Sequence, residues 1–314
     1  MKILILGAGV LGCNMAHNFY QAGKDVTLFA RGKWGAYIKE NGLVIKNKLS
    51  IKPSCDRIPV IDELREEDVY DVIFVCVRYT QLSSVMEMIR NHGTKNIIFI
   101  GNNMNPEGYA GMLAGKNVLF GFVSSAGHRE RNRVVSIDMK KITVGDLKSS
   151  NSNETLLKRI FEGTKYRMVY EANMGDYLIS HGAFIVPAVL ACYCVDGNLK
   201  RIRKDEDFIR KVIDSNGECY HAVETLGYEL LPKGEEQYRS EKYRKMMYRL
   251  YRLMFSTFLG RICISDHAMN AVEEMNEMAS ELEAMIQKAG VRAEHFLELK
   301  KEAAHQILRA TAST

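Results

Sequence analysis

The sequence has no C-x-x-C pair and no cysteine spacing that is typical of a zinc site. Its seven cysteines are scattered among apolar residues, at Cys13, Cys55, Cys76, Cys192, Cys194, Cys219 and Cys263. An odd number of scattered cysteines predicts reduced thiols in the protein core. We therefore expect neither a disulfide framework nor a metal site.

The chain also lacks internal repeats, low-complexity tracts and long hydrophobic runs. The longest apolar run, residues 182–195, is shorter than a bilayer requires and contains Pro187. The first apolar residues are interrupted by three glycines, which argues against a signal peptide. We expect a cytoplasmic protein without a membrane segment.

Length and charge narrow the class of protein further. A chain of 314 residues with 46% hydrophobic residues predicts two domains with sizeable cores. The net charge of +5 comes from scattered lysines and arginines with acidic residues between them. This modest excess favours a small anionic substrate, with no nucleic acid as a partner.

A glycine-rich segment follows directly after the first apolar run and precedes a helix-compatible stretch. It reads Gly7-Ala8-Gly9-Val10-Leu11-Gly12. In a dinucleotide-binding βαβ unit, such glycines allow a tight turn, a close approach of the backbone to a pyrophosphate, and close helix packing. The segment therefore predicts a bound dinucleotide, and a purely structural glycine turn is the alternative.

The end of the second predicted strand, residues 25–30, indicates which dinucleotide is bound. Proteins selective for NAD usually have an acidic residue there, which binds the ribose 2′-hydroxyl. This chain has Arg31, with Lys33 close by. An arginine suits a 2′-phosphate, so we predict NADP as the cofactor. The alternative is that Arg31 is a solvated loop residue.

Short β-rich runs alternate with helical stretches in the first half of the chain, and only helical patterns follow from about Asn173. The predicted strands after the second one are residues 71–77, 96–100 and 117–122, then an antiparallel pair formed by 134–137 and 141–144. This pattern predicts an α/β protein. Residues 1–170 would form an NADP-binding Rossmann-like domain with a doubly wound sheet. Residues 171–314 would form an all-helical (all-α) domain for substrate binding and dimerisation.

A long amphipathic helix is predicted over residues 266–288, ended by Gly290. Beside its apolar stripe, His267, Asn270 and Glu274 recur at positions i, i+3 and i+7. These polar groups could bind the hydroxyls or carboxylate of a substrate. The alternative is a solvated shoulder of the helix.

The chain resembles the ketopantoate reductase family, the NADP-dependent 2-dehydropantoate 2-reductases, over essentially its whole length. The match is specific in the N-terminal half and weaker in the C-terminal half. The residues that carry it are the glycine segment, Arg31, Val75-Cys76-Val77-Arg78, Gly101-Asn102-Asn103-Met104, Asp196-Gly197 and Glu274.

The resemblance implies roles for several of these residues. Arg78 takes the place of a family lysine near the nicotinamide, and Asn102 matches an asparagine that holds both cofactor and substrate. Glu274 matches a glutamate that binds substrate hydroxyls. Leu178 stands where the family has its general-acid lysine. The resemblance therefore predicts poor turnover of ketopantoate, the family's substrate in pantothenate biosynthesis.

Another residue must then supply the proton that reduction of a ketone requires. His181 can share a helix face with Tyr177 and Leu178. An imidazole is suited to proton delivery near neutral pH. Arg78 can stabilise a developing alkoxide, although it is a poor proton donor. The alternative is that His181 is a packing residue between helices.

Two functions remain open at this stage. The first is an NADPH-dependent reductase of a 2-oxo acid or related carbonyl compound, with His181, Glu274 and Arg78 as catalytic residues. The second is an NADP-binding sensor or scaffold protein of the same fold without turnover. In both, the sequence allows a homodimer.

Overall fold

A computed structural model describes residues 1–48, 50–148 and 152–312, except the side chains of residues 259, 262, 263, 267 and 308–312. The chain divides into two compact units, Met1–Gly175 and a second unit from Asp176 onward. The boundary predicted at residue 170 falls inside the last strand of the first unit.

The first unit contains ten strands in its described part. In chain order they are β1 (Lys2–Leu6), β2 (Asp25–Phe29), β3 (Leu43–Asn47), β4 (Ser54–Asp56), β5 (Val60–Ile61), β6 (Val72–Val75), β7 (Asn96–Ile100), β8 (Asn117–Arg129), β9 (Val134–Asp146) and β10 (Arg167–Glu171). The helices between them are α1 (Val10–Gln21), α2 (Gly32–Asn41), α3 (Ser83–Asn91), α4 (Pro106–Met112) and α5 (Glu154–Phe161).

The strands form one sheet in the order β4-β3-β9-β8-β7-β6-β1-β2-β5, with β10 on β9. Strands β8, β7, β6, β1, β2 and β5 are mutually parallel along this order. The apolar runs predicted as strands lie in this parallel region, and most of their residues are buried. Continuous apolar runs fit parallel strands because both faces of such a sheet are covered. The predicted fold class is therefore confirmed.

The prediction of an antiparallel pair within residues 134–144 is wrong. These residues belong to the single long strand β9, which pairs antiparallel with β8. Val123 pairs with Ile142 and Ser125 with Asp138, so residues 139–141 form a bulge opposite Ser124. A bulge leaves residues unpaired and bends the strand. Its polar residues resemble a turn in the sequence, which explains the error.

The described part of the second unit is helical. Its helices are α6 (Met174–Cys194, which starts just before the boundary), α7 (Glu206–Thr225), α8 (Glu241–Ser256), α9 (Phe258–Gly260), α10 (His267–Asn270), α11 (Val272–Ala289) and α12 (Glu294–Ala312). A π-helical segment, Arg261–Asp266, joins α9 to α10. The described part of this unit is thus the all-helical C-terminal region that the sequence predicted.

Helix α6 contains residues 182–194 of the longest apolar run. This helix of 21 residues is the one described helix long and apolar enough to cross a bilayer. However, 78% of its most apolar stretch is buried inside the protein. Burial of this kind is typical of the central helix of a folded core.

The cysteines only partly follow their predicted burial. Cys13, Cys76, Cys192, Cys194 and Cys219 are buried, with free thiols, whereas Cys55 is exposed. Burial raises the pKa of the Cys192 thiol to about 11, which keeps it protonated near neutral pH. The side chain of Cys263 lies outside the described residues.

Candidate functional site

The glycine segment forms the turn between β1 and α1. Gly7 has φ +115°, and a Cβ there would lie 2.8 Å from the carbonyl oxygen of Cys76. A Cβ on Gly12 would lie 1.9 Å from the carbonyl oxygen of Gly7. Neither position can accept a side chain, because Gly7 lies against the backbone that follows β6 and Gly12 packs helix α1 against the turn.

Gly9 differs from these two glycines. It is the N-cap of α1, and a Cβ built there would have nothing within 4 Å. Open space at a helix N-terminus, faced by backbone N–H groups, suits a phosphate. The local geometry therefore fits a dinucleotide pyrophosphate at Ala8, Gly9, Val10 and Leu11.

Trp34, the only tryptophan in the chain, fixes the same turn from the side of α2. Its indole Nε1 donates a hydrogen bond of 3.0 Å to the carbonyl oxygen of Ala8. Its ring stacks on Tyr37 with the two planes 7° apart. Sequence reasoning missed this contact, although a lone tryptophan three residues after Arg31 was a visible signal.

Arg31 lies at the carboxyl end of β2, where the sequence placed it. It is the N-cap of α2 and is exposed. Its guanidinium carbon lies 5.9 Å from the centre of the Phe29 ring, within reach of a cation–π contact. The side chain is thus accessible to a ligand bound at the glycine turn.

Arg78 and Asn102 follow the next two strands of the sheet. Arg78 is exposed at the start of a short 3₁₀ helix after β6. Asn102 is half-buried after β7. Strands β7, β6, β1 and β2 are adjacent and parallel, so their carboxyl ends lie at one edge of the sheet. Ligands of open α/β sheets bind at this edge, where the structure gathers the glycine turn, Arg31, Arg78 and Asn102.

Asn103 has a buried side-chain nitrogen to which no described residue offers a hydrogen-bond acceptor. It is buried, and its Oδ1 accepts a hydrogen bond of 2.8 Å from the backbone N–H of Asn105. Within the described part of the chain its Nδ2 has no hydrogen-bond partner. Burying this donor without a partner costs free energy.

In the second unit, α6 carries the candidate proton donor. The rings of Tyr177 and His181 stack with centres 6.4 Å apart and planes 5° apart, so these two side chains share one face of the helix. His181 is half-buried. Leu178 is only 2% exposed, which makes it part of the hydrocarbon core.

The single long helix predicted over residues 266–288 is wrong. Ala271, with φ −134° and ψ 34°, separates α10 from α11. Asn270 is exposed, and its Nδ2 donates to the carbonyl oxygen of Asp266, the residue that precedes α10. The side chain of His267 lies outside the described residues. His267, Asn270 and Glu274 therefore do not lie on one continuous helix face.

Glu274 lies in the first turn of α11 and is 7% exposed. The pKa of Tyr193 on α6 is raised, first by burial and further by nearby groups that include Glu274. The Tyr193 hydroxyl donates to the carbonyl oxygen of Ala268, 2.8 Å away. Glu274 is thus a buried carboxylate near the buried hydroxyl of Tyr193, and it stays a candidate for substrate binding. The predicted helix end at Gly290 is confirmed.

These features define a Rossmann-type α/β unit followed by an all-helical unit. The family model described as Ketopantoate reductase PanE/ApbA matches residues 3–149 of this chain. The resemblance to the ketopantoate reductases is thereby confirmed, and the match covers most of the first unit. No curated protein matches the sequence.

Solved structures extend the similarity of fold over the whole chain. A 2-dehydropantoate 2-reductase from Geobacter metallireducens GS-15 has a TM-score of 0.79 at 17% identity, covering 97% of this chain and 99% of its own. A D-mandelate dehydrogenase with bound NADH and anilino(oxo)acetate has a TM-score of 0.78 at 16% identity, covering 98% of both chains. A dimeric ketopantoate reductase from Staphylococcus aureus has a TM-score of 0.72 at 13% identity, again covering 98% of both chains.

Proposed function

We propose that this protein is an NADPH-dependent reductase of a 2-oxo acid or a related carbonyl compound. The observation that carries the proposal is the open Gly9 turn beside Arg31, at one edge of the parallel sheet. The relatives are also named for 2-oxo acid chemistry, since one is a dehydropantoate reductase and another is a mandelate dehydrogenase.

The backbone N–H groups at the start of α1 would hold the pyrophosphate, and Gly9 leaves room for it. Arg31 would bind the 2′-phosphate with charge-assisted hydrogen bonds. Asn102 would bind both the cofactor and the substrate. When bound, NADPH supplies the hydride for the reaction.

The remaining chemistry falls to side chains of this chain. Arg78 would stabilise negative charge that develops on the carbonyl oxygen, because its guanidinium stays protonated. His181 would hold the proton that this oxygen receives. The Glu274 carboxylate would accept hydrogen bonds from substrate hydroxyls. We keep Asn270 and His267 only as weaker candidates for substrate binding, since both lie on α10, which Ala271 separates from the helix of Glu274.

Ketopantoate is not the substrate that this site favours. Leu178 stands at the position of the family's general-acid lysine and is buried in the core. Loss of a positioned acid typically costs about 10²–10⁴-fold in rate. A role in pantothenate biosynthesis therefore requires that another donor compensate, and we favour a different anionic oxo acid. We also propose a cytoplasmic homodimer, which the dimeric Staphylococcus aureus relative supports.

The proposal is tested by NADPH consumption with a panel of 2-oxo acids that includes ketopantoate. We expect at least one oxo acid to be reduced with many turnovers per protein, and ketopantoate to be among the slower substrates. The Glu274→Gln variant, in which substrate binding should be weaker, is compared in the same reaction. NADPH binding without consumption across the panel would instead support the sensor or scaffold alternative.

A further inference from the structure

The far end of the β8–β9 hairpin lies against helix α1, beyond the bulge. Asn14 joins the two, because its Nδ2 donates to Ser125 Oγ (2.8 Å) and its Oδ1 accepts from Ser136 Oγ (3.1 Å). Further along α1, Asn18 Nδ2 donates to Asp138 Oδ2 at 2.9 Å. The helix that begins at the glycine turn is therefore fixed to the hairpin by buried hydrogen bonds.

This contact brings Arg129, at the end of β8, to the glycine turn. Its guanidinium carbon lies 5.5 Å from the centre of the Trp34 ring, within the range of a cation–π contact. Trp34 itself donates to the carbonyl oxygen of Ala8 in the turn. Burial raises the pKa of the Cys13 thiol on α1 to about 12, and the Trp34 contact and the charge of Arg129 reduce this rise. Arg129 therefore lies close to the starts of both α1 and α2.

Arg129 is exposed, and within the described part of the chain no carboxylate lies within ion-pair distance of it. Its neighbour Arg133 differs, because it forms an ion pair of 2.7 Å with Glu130. An arginine whose planar group lies against an indole is held in position and keeps its hydrogen-bond donors for another group.

The charge of the expected ligand requires more than one arginine. A phosphate monoester carries about −1.5 to −2 charges near pH 7. Arg31 supplies one positive charge, and the N-terminus of α1 is directed at the pyrophosphate. A second cation beside the first turn of α2 would complete the neutralisation of a 2′-phosphate.

We propose that Arg129 is a specificity-determining residue, which binds the 2′-phosphate of NADP together with Arg31 while the indole of Trp34 holds its guanidinium in place. This inference rests on the proposed function. The preference for NADP would then depend on Arg129 from the β8–β9 hairpin as well as on Arg31 at the end of β2.

Calorimetric titration with two small probes tests it. Adenosine 2′,5′-bisphosphate carries the 2′-phosphate, whereas adenosine 5′-diphosphate carries phosphates only at the 5′ position. Hydrogen bonds to a charged group correspond to about ten- to a hundredfold in affinity. We expect Arg129→Ala to lower the affinity for the bisphosphate by about tenfold or more and to leave the affinity for the diphosphate unchanged. Arg129→Lys should recover part of the loss.

Arg133→Ala is the matched control, since it removes an arginine of the same hairpin and should change neither affinity. If Arg129→Ala behaves like Arg133→Ala while Arg31→Ala weakens the bisphosphate, the role of Arg129 is overturned and NADP selectivity stands. An equal loss for both probes in Arg129→Ala also overturns it. If the unmodified protein binds both probes equally and Arg31→Ala has no effect, the NADP assignment itself fails.

Discussion

The side-chain amide of Asn216 takes the place of the backbone N–H that Pro187 lacks. Pro187 lies inside α6, where it cannot donate to the carbonyl oxygen of Ala183 four residues earlier. Asn216 on α7 donates to that oxygen at 3.1 Å and to the carbonyl oxygen of Phe184 at 2.8 Å. Its own Oδ1 accepts from the Tyr251 hydroxyl at 2.6 Å. The buried middle of α6 thus keeps its hydrogen bonds despite the proline.

Replacing this amide should destabilise the protein. We expect Asn216→Ala to lower the free energy of unfolding by about 1–3 kcal/mol, because it leaves buried acceptors unsatisfied. Urea denaturation measures the loss. In a Pro187→Ala background, residue 187 regains its N–H. Asn216→Ala should then lower the free energy of unfolding by less. An identical cost in both backgrounds would show that Asn216 does not act through the proline.

The pH dependence of stability should depend on His92. This histidine is buried, and its Nδ1 accepts from the backbone N–H of Thr94 at 3.2 Å. Burial lowers the pKa of His92, and the nearby Lys116 ammonium lowers it further. The unfolded chain binds a proton near the ordinary pKa of about 6.5, whereas the folded protein binds it only at lower pH. The contribution of His92 to stability is therefore fully present above about pH 6.5, and it is lost as the pH falls from there through the lower pKa of the folded protein.

Unfolding experiments between pH 5 and pH 8 check this expectation. The His92→Asn variant keeps an acceptor near the position of Nδ1 but cannot take up a proton. We expect its free energy of unfolding to fall less steeply below about pH 6.5 than that of the unmodified protein. Parallel curves for the two proteins would remove His92 from the acid response.

The rate of reduction should depend on His181 through its proton. If the imidazole supplies it, the rate falls as the pH rises through the titration of that group. His181→Gln should lower the rate and flatten this dependence, while NADPH binding stays intact because the cofactor is assigned to the first unit. A pH–rate profile of both proteins is the measurement. An unchanged rate and profile in the variant would make His181 a packing residue.

Glu274 should act on substrate binding. Replacing its carboxylate with an amide weakens the acceptor for substrate hydroxyls, so we expect Glu274→Gln to raise KM by about tenfold. The neighbouring Glu273 is exposed and provides the matched control in Glu273→Gln. Steady-state kinetics with the oxo acid found in the panel distinguishes them. Equal KM values for the two variants would assign Glu274 a structural role.

Local patterns predicted the first unit well. The glycine segment, the apolar strands and the arginine at the end of β2 depend on residues that are close in the sequence. The short strands β3, β4, β5 and β10 were not predicted. Strand β10, for example, alternates half-buried and exposed residues, and so it lacks the continuous apolar run of the central strands.

Contacts between distant residues were beyond sequence reasoning. Asparagines are mostly exposed in proteins, but Asn14 and Asn18 of α1 are buried because the β8–β9 hairpin covers them. The break at Ala271 has no glycine or proline to signal it, and the helical periodicity continues through it. Asn216 gave no signal either, since its partner carbonyls lie more than thirty residues away.

The central claim is that the first unit binds NADP, since both the reductase and the sensor require it. Trp34 reports on this site directly, because the only tryptophan of the chain contacts the glycine turn. Titration of its fluorescence with NADPH and with NADH measures the two affinities. We predict that NADPH binds at least about tenfold more tightly, and that Arg31→Ala removes most of the difference. Equal affinities in the unmodified protein, or no response to either dinucleotide, would contradict the account.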